Sequence, residues 1–222
     1  MNAWHGGFNG DLAEGDRFGF SSAGIGGDLN GDGVLDIVVG AYYDDDGGTN
    51  AGAVYILFMQ TDGKVLSHQK VSALHGGFTG DLASDDLFGV SSAGVGGDLN
   101  GDAYTEVPLV VNGTSGPSSS NSGDDVLDLV VGACYDDDGG YDVGAVYILF
   151  MQTNGKVLSH QKVSALHGGF TGDLASDDYF GGSCAGVGGD LNGDDVLDLV
   201  VGAYFDDDGG SYTGAVYIIL GI

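Results

Sequence analysis

The sequence predicts an all-β protein whose fold is a β-propeller, with three repeats that each form a blade of four antiparallel strands. One segment recurs three times, short apolar runs alternate with glycine-rich turn sequences, and no stretch holds the 3.6-residue apolar period of a helix. Glycine occupies 45 of the 222 positions, which indicates many tight turns. Several short strands per repeat, with the repeats packed side by side, are typical of propellers.

The three repeats are visible in one recurring segment. It reads HGGFNGDLAEGDRFG at 5–19, HGGFTGDLASDDLFG at 75–89 and HGGFTGDLASDDYFG at 167–181. The second repeat is longer because it contains an insertion at 103–124, which holds both prolines of the chain. We therefore predict blades at 1–74, 75–166 and 167–222, and the third of these lacks the sequence of a fourth strand.

In the first repeat, four strands are expected at 18–27, 35–43, 52–60 and 64–74. The first is small and rich in glycine, which suits a crowded position near the propeller axis. The second is apolar enough to be covered on both faces. The fourth alternates apolar and polar residues, as an outer edge strand does.

An acidic loop between the first two strands of each repeat predicts a calcium site. It reads DLNGDGVLD at 28–36, DLNGDDVLD at 190–198 and, divided by the insertion, DLNGD at 98–102 with DDVLD at 124–128. Calcium takes six to eight oxygen ligands from carboxylates, amides, backbone carbonyls and water. Two carboxylates about 5 Å apart repel by roughly 3 kcal/mol at an effective dielectric of about 20, and a bound cation removes that cost.

The expected ligands are alternating oxygen donors, and each valine contributes its backbone carbonyl. They are Asp28, Asn30, Asp32, Val34 and Asp36; Asp98, Asn100, Asp102, Asp124, Val126 and Asp128; and Asp190, Asn192, Asp194, Val196 and Asp198. A solvated acidic turn is the alternative at each loop. In the second repeat the insertion separates Asp102 from Asp128. That site forms only if the two ends of the insertion lie close together, so that the ligands on either side of it can meet.

The recurring motifs resemble the FG-GAP repeats of integrin α-subunits and of many bacterial and algal surface proteins. The FG pair is Phe18-Gly19, Phe88-Gly89 and Phe180-Gly181, and the GAP position reads Gly40-Ala41-Tyr42, Gly132-Ala133-Cys134 and Gly202-Ala203-Tyr204, without the proline. The acidic loop lies between the two motifs, as it does in that family. The resemblance covers the chain apart from the insertion. It implies a calcium-stabilised propeller, extracellular or at the cell surface, with a structural, assembly or cell-adhesion role.

A second acidic cluster recurs at 44–46, 136–138 and 206–208, in the turn between the second and third strands. Strand alternation places this turn at the opposite end of the blade from the calcium loops. We expect a solvated acidic face there, with a weak cation or ligand rim as the alternative.

The histidines argue against an enzyme. All five occupy repeat-equivalent places, His5, His75 and His167 in HGGF and His68 and His160 in SHQK, whereas an active site is normally built once. The G-x-S-x-G nucleophile motif does not occur in the sequence. We therefore expect a protein without catalytic residues.

Two cysteines and one sequon depart from the repeat pattern. Cys134 replaces a tyrosine and Cys184 replaces a serine on neighbouring predicted blades, so a disulfide across the blade interface is expected, with two buried thiols as the alternative. Asn112 begins the only N-x-S/T sequence and is a candidate glycosylation site within the insertion. The insertion could equally be a tolerated surface loop or an unremoved intron.

The net charge of −28, from 33 acidic and 5 basic residues, favours cations and excludes nucleic acid and anionic lipid as expected partners. No apolar run approaches the ~20 residues of a membrane span, and the first residues lack the features of a signal peptide. Membrane insertion is therefore not expected.

Closure of the propeller requires a partner or more chain. Propellers close with four or more blades, and three are predicted here. We expect self-association, as a six-bladed ring of two chains or as an end-to-end filament, and a longer parent chain is the alternative. Protein or glycan ligands are further candidate partners. The alternative function is a lectin-like module that binds carbohydrate through a rim pair such as Tyr43 and Tyr55.

Overall fold

The computed structural model describes residues 6–99 and 126–221, in which the chain forms three antiparallel sheets and no helix. The prediction of an all-β fold built from propeller blades is confirmed. The strands are β1 (Ser22–Gly24), β2 (Ile37–Ala41), β3 (Ala53–Met59), β4 (Val65–Ser72), β5 (Ser91–Gly94), β6 (Leu129–Ala133), β7 (Ala145–Met151), β8 (Val157–Ser164), β9 (Phe180–Gly186), β10 (Leu199–Ala203) and β11 (Ala215–Ile219). In these two ranges no helix has the length and hydrophobicity that crossing a membrane requires. The predicted sites at Asn100, Asp102, Asn112 and Asp124 lie outside the described residues.

Each sheet is a meander of strands that are neighbours in the chain. The first has the order β1-β2-β3-β4, the second β5-β6-β7-β8 and the third β11-β10-β9. The central pairing keeps one register throughout, because Ala41 lies opposite Ala53, Ala133 opposite Ala145 and Ala203 opposite Ala215. The three sheets are therefore copies of one blade, and the third is described as far as β11.

The first strand is shorter than the predicted span of 18–27, since β1 covers only Ser22–Gly24. Arg17 (φ 58°) and Gly19 (φ 91°) have left-handed backbone conformations. The Phe20 N–H donates to the Arg17 carbonyl over 3.1 Å and closes a turn. The first residues of the predicted strand at 18–27 therefore form a turn, and only Ser22–Gly24 form a strand.

The third strand of a blade separates two apolar cores. Side chains alternate across a strand, so Val54 and Ile56 enter a core shared with Phe88 of the second blade, whereas Tyr55 packs with Phe8 of its own repeat. All seven residues of β3 are buried as a result. This two-sided burial explains why the sequence of the strand is a continuous apolar run.

The glycines of the FG and GAP motifs meet where one blade packs on the next. Gly89 has a φ of 91°, and a Cβ there would overlap the Ala53 carbonyl of the first blade. The Gly89 carbonyl in turn fills the space that a Cβ on Gly40 would need. Beside it the Phe88 N–H donates to the Ala51 carbonyl over 3.0 Å. Close approach of two backbones therefore requires glycine at both motif positions.

Both cysteines are free thiols, and the predicted disulfide is wrong. The Cys184 sulfur accepts a hydrogen bond from the Ser91 hydroxyl (3.1 Å) and lies 3.6 Å from the Val130 carbonyl. Val130 lies in β6 and Cys134 follows that strand, four residues later along a chain that rises about 3.3 Å per strand residue, whereas a disulfide requires Cα atoms within about 7 Å. Burial raises the pKa of Cys134 to about 12 and that of Cys184 to about 11, so both remain protonated at neutral pH.

We predict that Gly132→Ala destabilises the protein by about 1–3 kcal/mol, because its Cβ would overlap the Gly181 carbonyl across the second blade interface. Gly202→Ala is the matched control, since Gly202 has the same place in the third blade and only its own blade's Ser183 nearby. Urea unfolding of the two variants measures the difference. Equal losses would show that the interface contact does not demand glycine.

Candidate functional site

The first acidic loop connects β1 to β2 and is folded around the Asp28 carboxylate. Asp28 accepts hydrogen bonds from the backbone N–H groups of Gly31 (2.7 Å), Asp32 (3.1 Å) and Gly33 (2.5 Å). These bonds, with that from Gly33 foremost, lower the pKa of Asp28. Gly31 (φ 76°) and Gly33 (φ 87°) supply the left-handed conformations that the tight curvature requires.

Asn30 and Asp32 complete the exposed part of this loop. The Asn30 amide nitrogen donates to one Asp32 carboxylate oxygen over 3.0 Å, and the other oxygen accepts from the Val34 N–H over 2.9 Å. The Asp32 N–H donates to the Asn30 side-chain oxygen over 2.9 Å. The structure therefore places Asp28, Asn30 and Asp32 in one tight loop with their oxygen atoms at the end of the blade.

Asp36, the predicted fifth ligand, is only 1% exposed and has a structural role. One carboxylate oxygen accepts from the Leu29 N–H and the other from the Met59 N–H, each over 3.0 Å. This carboxylate thus joins the loop to the end of β3. Burial raises the pKa of Asp36, and the negative charges of Asp32 and Asp28 raise it further.

The third loop repeats this geometry. Asp190 accepts from the Gly193 N–H (2.6 Å) and the Asp195 N–H (2.7 Å), and Asn192 donates to Asp194 over 2.9 Å. Asp195 stands where the first loop has a glycine and still adopts a left-handed φ of 65°. Asp198 is buried like its counterpart and accepts from the Leu191 N–H over 2.6 Å.

Only part of the second loop is described. Asp128 is buried and accepts from the Leu99 and Met151 N–H groups, each over 2.9 Å. Val126 is also buried, and Asp98 is half-buried. In the first two repeats this carboxylate therefore joins the loop to the last residue of the third strand, and in the third repeat Asp198 accepts from the Gly221 N–H, two residues beyond β11, over 3.2 Å.

The loops fit a hard cation in donor type but are not preformed cages. In the described part of the chain, no three His, Cys, Asp or Glu side chains converge as a metal-binding group. Loop one brings together the half-buried Asp28, the exposed Asp32 and the Asn30 amide beside the buried Asp36. Loop three has the same set of oxygen donors, with both of its equivalent outer carboxylates exposed. A carboxylate oxygen that accepts one N–H retains a lone pair for an ion. These oxygen sets match the preference of calcium for carboxylates and carbonyls.

In the first two blades, the second acidic cluster, at the opposite end of the blade, forms an ion pair with a buried carboxylate, so the expected solvated face is wrong there. Asp44 is 3% exposed, and the Lys70 ammonium on β4 lies 2.7 Å from Asp44 and 2.6 Å from Asp46. Lys162 on β8 bridges Asp136 and Asp138 in the same way, over 2.6 and 2.7 Å.

Each lysine lowers the pKa of one carboxyl group in its cluster, Asp46 in the first blade and Asp138 in the second. Burial acts to raise the pKa of Asp138, but the hydrogen bond from Lys162 holds it below its usual value. The sequence signal for this arrangement was the lysine of HQK, which recurs in the first two repeats of a chain with few basic residues.

Similarity to known proteins agrees with this architecture. The sequence model of the FG-GAP repeat matches residues 20–57 and 185–219, which contain the first and third acidic loops. The chain belongs to the FG-GAP repeat family. This FG-GAP chain is also 31% identical over 191 residues to integrin alpha-6 of Homo sapiens, in an alignment that covers 85% of the chain and 13% of that relative. It is an integrin-like β-propeller module that corresponds to a small part of the relative.

Two repeat-equivalent clefts lie at the lysine end of the FG-GAP blades. One, of about 290 Å³, is lined by Tyr43, Tyr135 and Asp137, and the other, of about 370 Å³, by Phe205, Asp207 and Tyr212 among others. Of the predicted rim pair, only Tyr43 lines a cleft. Tyr55 is fully buried, with its hydroxyl donating to the Asp11 carbonyl over 2.6 Å, so that part of the prediction is wrong.

We predict that Lys162→Met destabilises the FG-GAP chain by about 3 kcal/mol, because it leaves the buried carboxylate of Asp136 without its counter-ion. Lys64→Met removes the same charge from an exposed pair with Asp62 and should change the unfolding midpoint little. Urea unfolding at neutral pH compares the two. A Lys162→Met variant as stable as Lys64→Met would contradict the structural role of the cluster.

Proposed function

We propose that this FG-GAP protein is a non-enzymatic, calcium-binding propeller module with a structural, assembly or cell-adhesion role outside the cell or at its surface. The observation behind the proposal is the acidic loop of the first blade, in which Asp28, Asn30 and Asp32 place their oxygens together, with the same geometry in the third blade. The similarity to integrin alpha-6 supports the location and the type of role.

Calcium would stabilise the blade. It would be held by Asp28, Asn30 and Asp32, together with a backbone carbonyl near Val34, and it would offset their mutual repulsion. Asp36 connects this loop to the Met59 end of β3, so ordering of the loop is transmitted to the central strands of the sheet. The ion therefore fixes the β1–β2 connection and leaves the other end of the blade free to bind.

The assembly role is supported by two exposed apolar faces. On the trailing face of the third blade, Val216 and Ile218 are 69% and 57% exposed, whereas their counterparts Val54 and Ile56 are fully buried against the next blade. On the leading face of the first blade, Leu35 is 69% exposed, whereas its counterpart Leu127 fills the space above Gly27 of the preceding blade. We propose that copies of the chain pack head to tail through these faces, as a six-bladed ring or a filament.

The clefts favour a lectin-like module as a second candidate. Aromatic side chains with a few polar groups line both clefts, which is the usual character of small-ligand sites. Binding on a glycan array is the observation that distinguishes this function from a purely structural one.

We predict that millimolar calcium raises the melting temperature relative to EGTA. One site at about a hundredfold its dissociation constant adds about 2.7 kcal/mol. A variant with Asp28→Asn and Asp32→Asn should lose the part of the shift that the first loop provides. The matched control, Asp45→Asn with Asp207→Asn, removes the same charge from exposed positions at the opposite end and should keep the shift. A wild-type melt that is indifferent to calcium would refute the metal site.

We predict that light scattering gives a mass of two chains or more, and that Ile218→Asp lowers it to one chain by placing a charge on the trailing face. Leu66→Asp is the control, because Leu66 is similarly exposed (58%) but lies on the outer strand β4 of the first blade rather than on β11. A monomeric wild type, or an Ile218→Asp mass equal to that of Leu66→Asp, would refute the head-to-tail contact.

A further inference from the structure

We propose that the Asp86 carboxyl group is a buried proton-binding site that makes the packing of the second FG-GAP blade on the first depend on pH. Asp86 lies in the segment 85–88, which connects the two blades at their lysine end. The titration of this group belongs to the folded blades themselves, so the inference does not rest on the calcium and assembly roles proposed above.

Backbone hydrogen bonds hold the segment 85–88 between the two blades. Three N–H groups of the segment donate to the carbonyls of 49–51 in the first blade, over 2.7 to 3.2 Å. On the other side, the Asp86 carbonyl accepts from the Tyr135 N–H of the second blade over 3.4 Å. Phe88 is fully buried in the core that the two blades share. We call the contact of 85–88 with 49–51 the blade joint, and a charge on Asp86 acts directly on it.

The Asp86 side chain is buried at this joint and is only 4% exposed. One of its carboxylate oxygens accepts the Ala83 N–H over 2.7 Å. None of the ion pairs in the described ranges includes Asp86. Ionisation of this carboxyl group is therefore costly, because burial removes the water that would stabilise the charge.

The groups that face Asp86 add more negative than positive charge to its surroundings. Asp136 and Asp137, from the turn between β6 and β7, oppose its ionisation by repulsion. The ammonium of Lys162 on β8 favours its ionisation. Tyr147 of β7 interacts with Asp86 as well, but its phenol is uncharged at neutral pH because burial raises its pKa.

The lysine that faces Asp86 is already shared by two other carboxylates. Its ammonium lies 2.6 Å from Asp136 and 2.7 Å from Asp138. From the first blade, the joint receives 49–51, whose threonine, asparagine and alanine have no titratable side chain. An ionised Asp86 would therefore make three carboxylates share the ammonium of Lys162, and a proton on Asp86 removes the excess negative charge.

The proton on Asp86 has a defined pH range. Burial raises the pKa of Asp86 to about 7, and repulsion from Asp136 and Asp137 contributes to the rise, whereas the ordinary pKa of the group is 3.8. The folded chain therefore holds one more proton than the unfolded chain between these pH values. The stability that this proton provides is complete below pH 3.8 and is lost as the pH rises through about 7. Above that pH, the new charge favours release of 85–88 from the first blade.

The first test compares the wild type with Asp86→Asn, which copies the neutral acid and keeps an oxygen for the Ala83 N–H. Urea unfolding is measured from about pH 5 to about pH 8 in EGTA, so that calcium does not contribute. We expect the ratio of the wild-type to the variant unfolding constant to rise about tenfold per pH unit up to about pH 7 and then to level off.

Asp85→Asn is the matched control, because Asp85 is the exposed neighbour of Asp86 in the same segment. The ratio of the wild-type to the Asp85→Asn unfolding constant should not change over this pH range. A ratio for Asp86→Asn that is also independent of pH would overturn the proposal.

Hydrogen exchange locates the effect. After correction for the intrinsic pH dependence of exchange, the amides of 85–88 should exchange faster at about pH 8 than at about pH 6 in the wild type, and not in Asp86→Asn. Equal pH dependence of these amides in the two proteins would overturn the assignment of the effect to the blade joint.

The wild type alone also tests the proposal if Asp86→Asn folds poorly. The carboxyl carbon of Asp86, followed by carbon-13 NMR, should titrate with a midpoint at about pH 7. A midpoint at the ordinary aspartate value of about 4 would show that Asp86 binds no proton near neutral pH and would overturn the proposal.

Discussion

The close approach of backbones between neighbouring blades is the constraint on which the rest of this structure depends. Gly40 and Gly89 have no side chains to separate the strands, so one blade rests directly on the carbonyls of the other. That distance brings Val54 and Ile56 into a common core with Phe88. In the described residues, the acidic loops of the first and third blades lie at the ends of their sheets opposite the β2–β3 type turns.

Aspartate residues have different environments at the two ends of the first blade. Asp28 lies in an exposed loop and is stabilised by backbone N–H groups, which lower the pKa of its carboxyl group. Asp44 is buried, and its charge is balanced by Lys70 from the outer strand. Aspartate therefore makes one end of the blade suited to a mobile ion, while at the other end the counter-ion is part of the fold.

The fold could be predicted from the sequence because each repeat carries its own apolar runs and turn signals, and three copies repeat them. The oxygen-bearing side chains that each acidic loop holds could be predicted for the same reason. The burial of Asp44 could not, because it depends on the register of β3 with β4, which brings Lys70 opposite Tyr55. The cysteines show the same limit, since Cys134 follows β6 and Cys184 lies in the adjacent β9, but their positions along these strands decide whether the two sulfurs meet. The local sequence pattern predicts where strands and turns lie, whereas the pairing register of the strands determines which side chains contact each other.

The unpaired acidic edge of the third sheet has a consequence for specificity. Exposed strand edges can pair with other chains, and β11 is a short apolar strand that pairs only with β10 among the described residues. Pairing two such edges would join chains that each carry a net charge of −28, and electrostatic repulsion opposes that association. The negative charge of the chain therefore opposes aggregation through this strand edge.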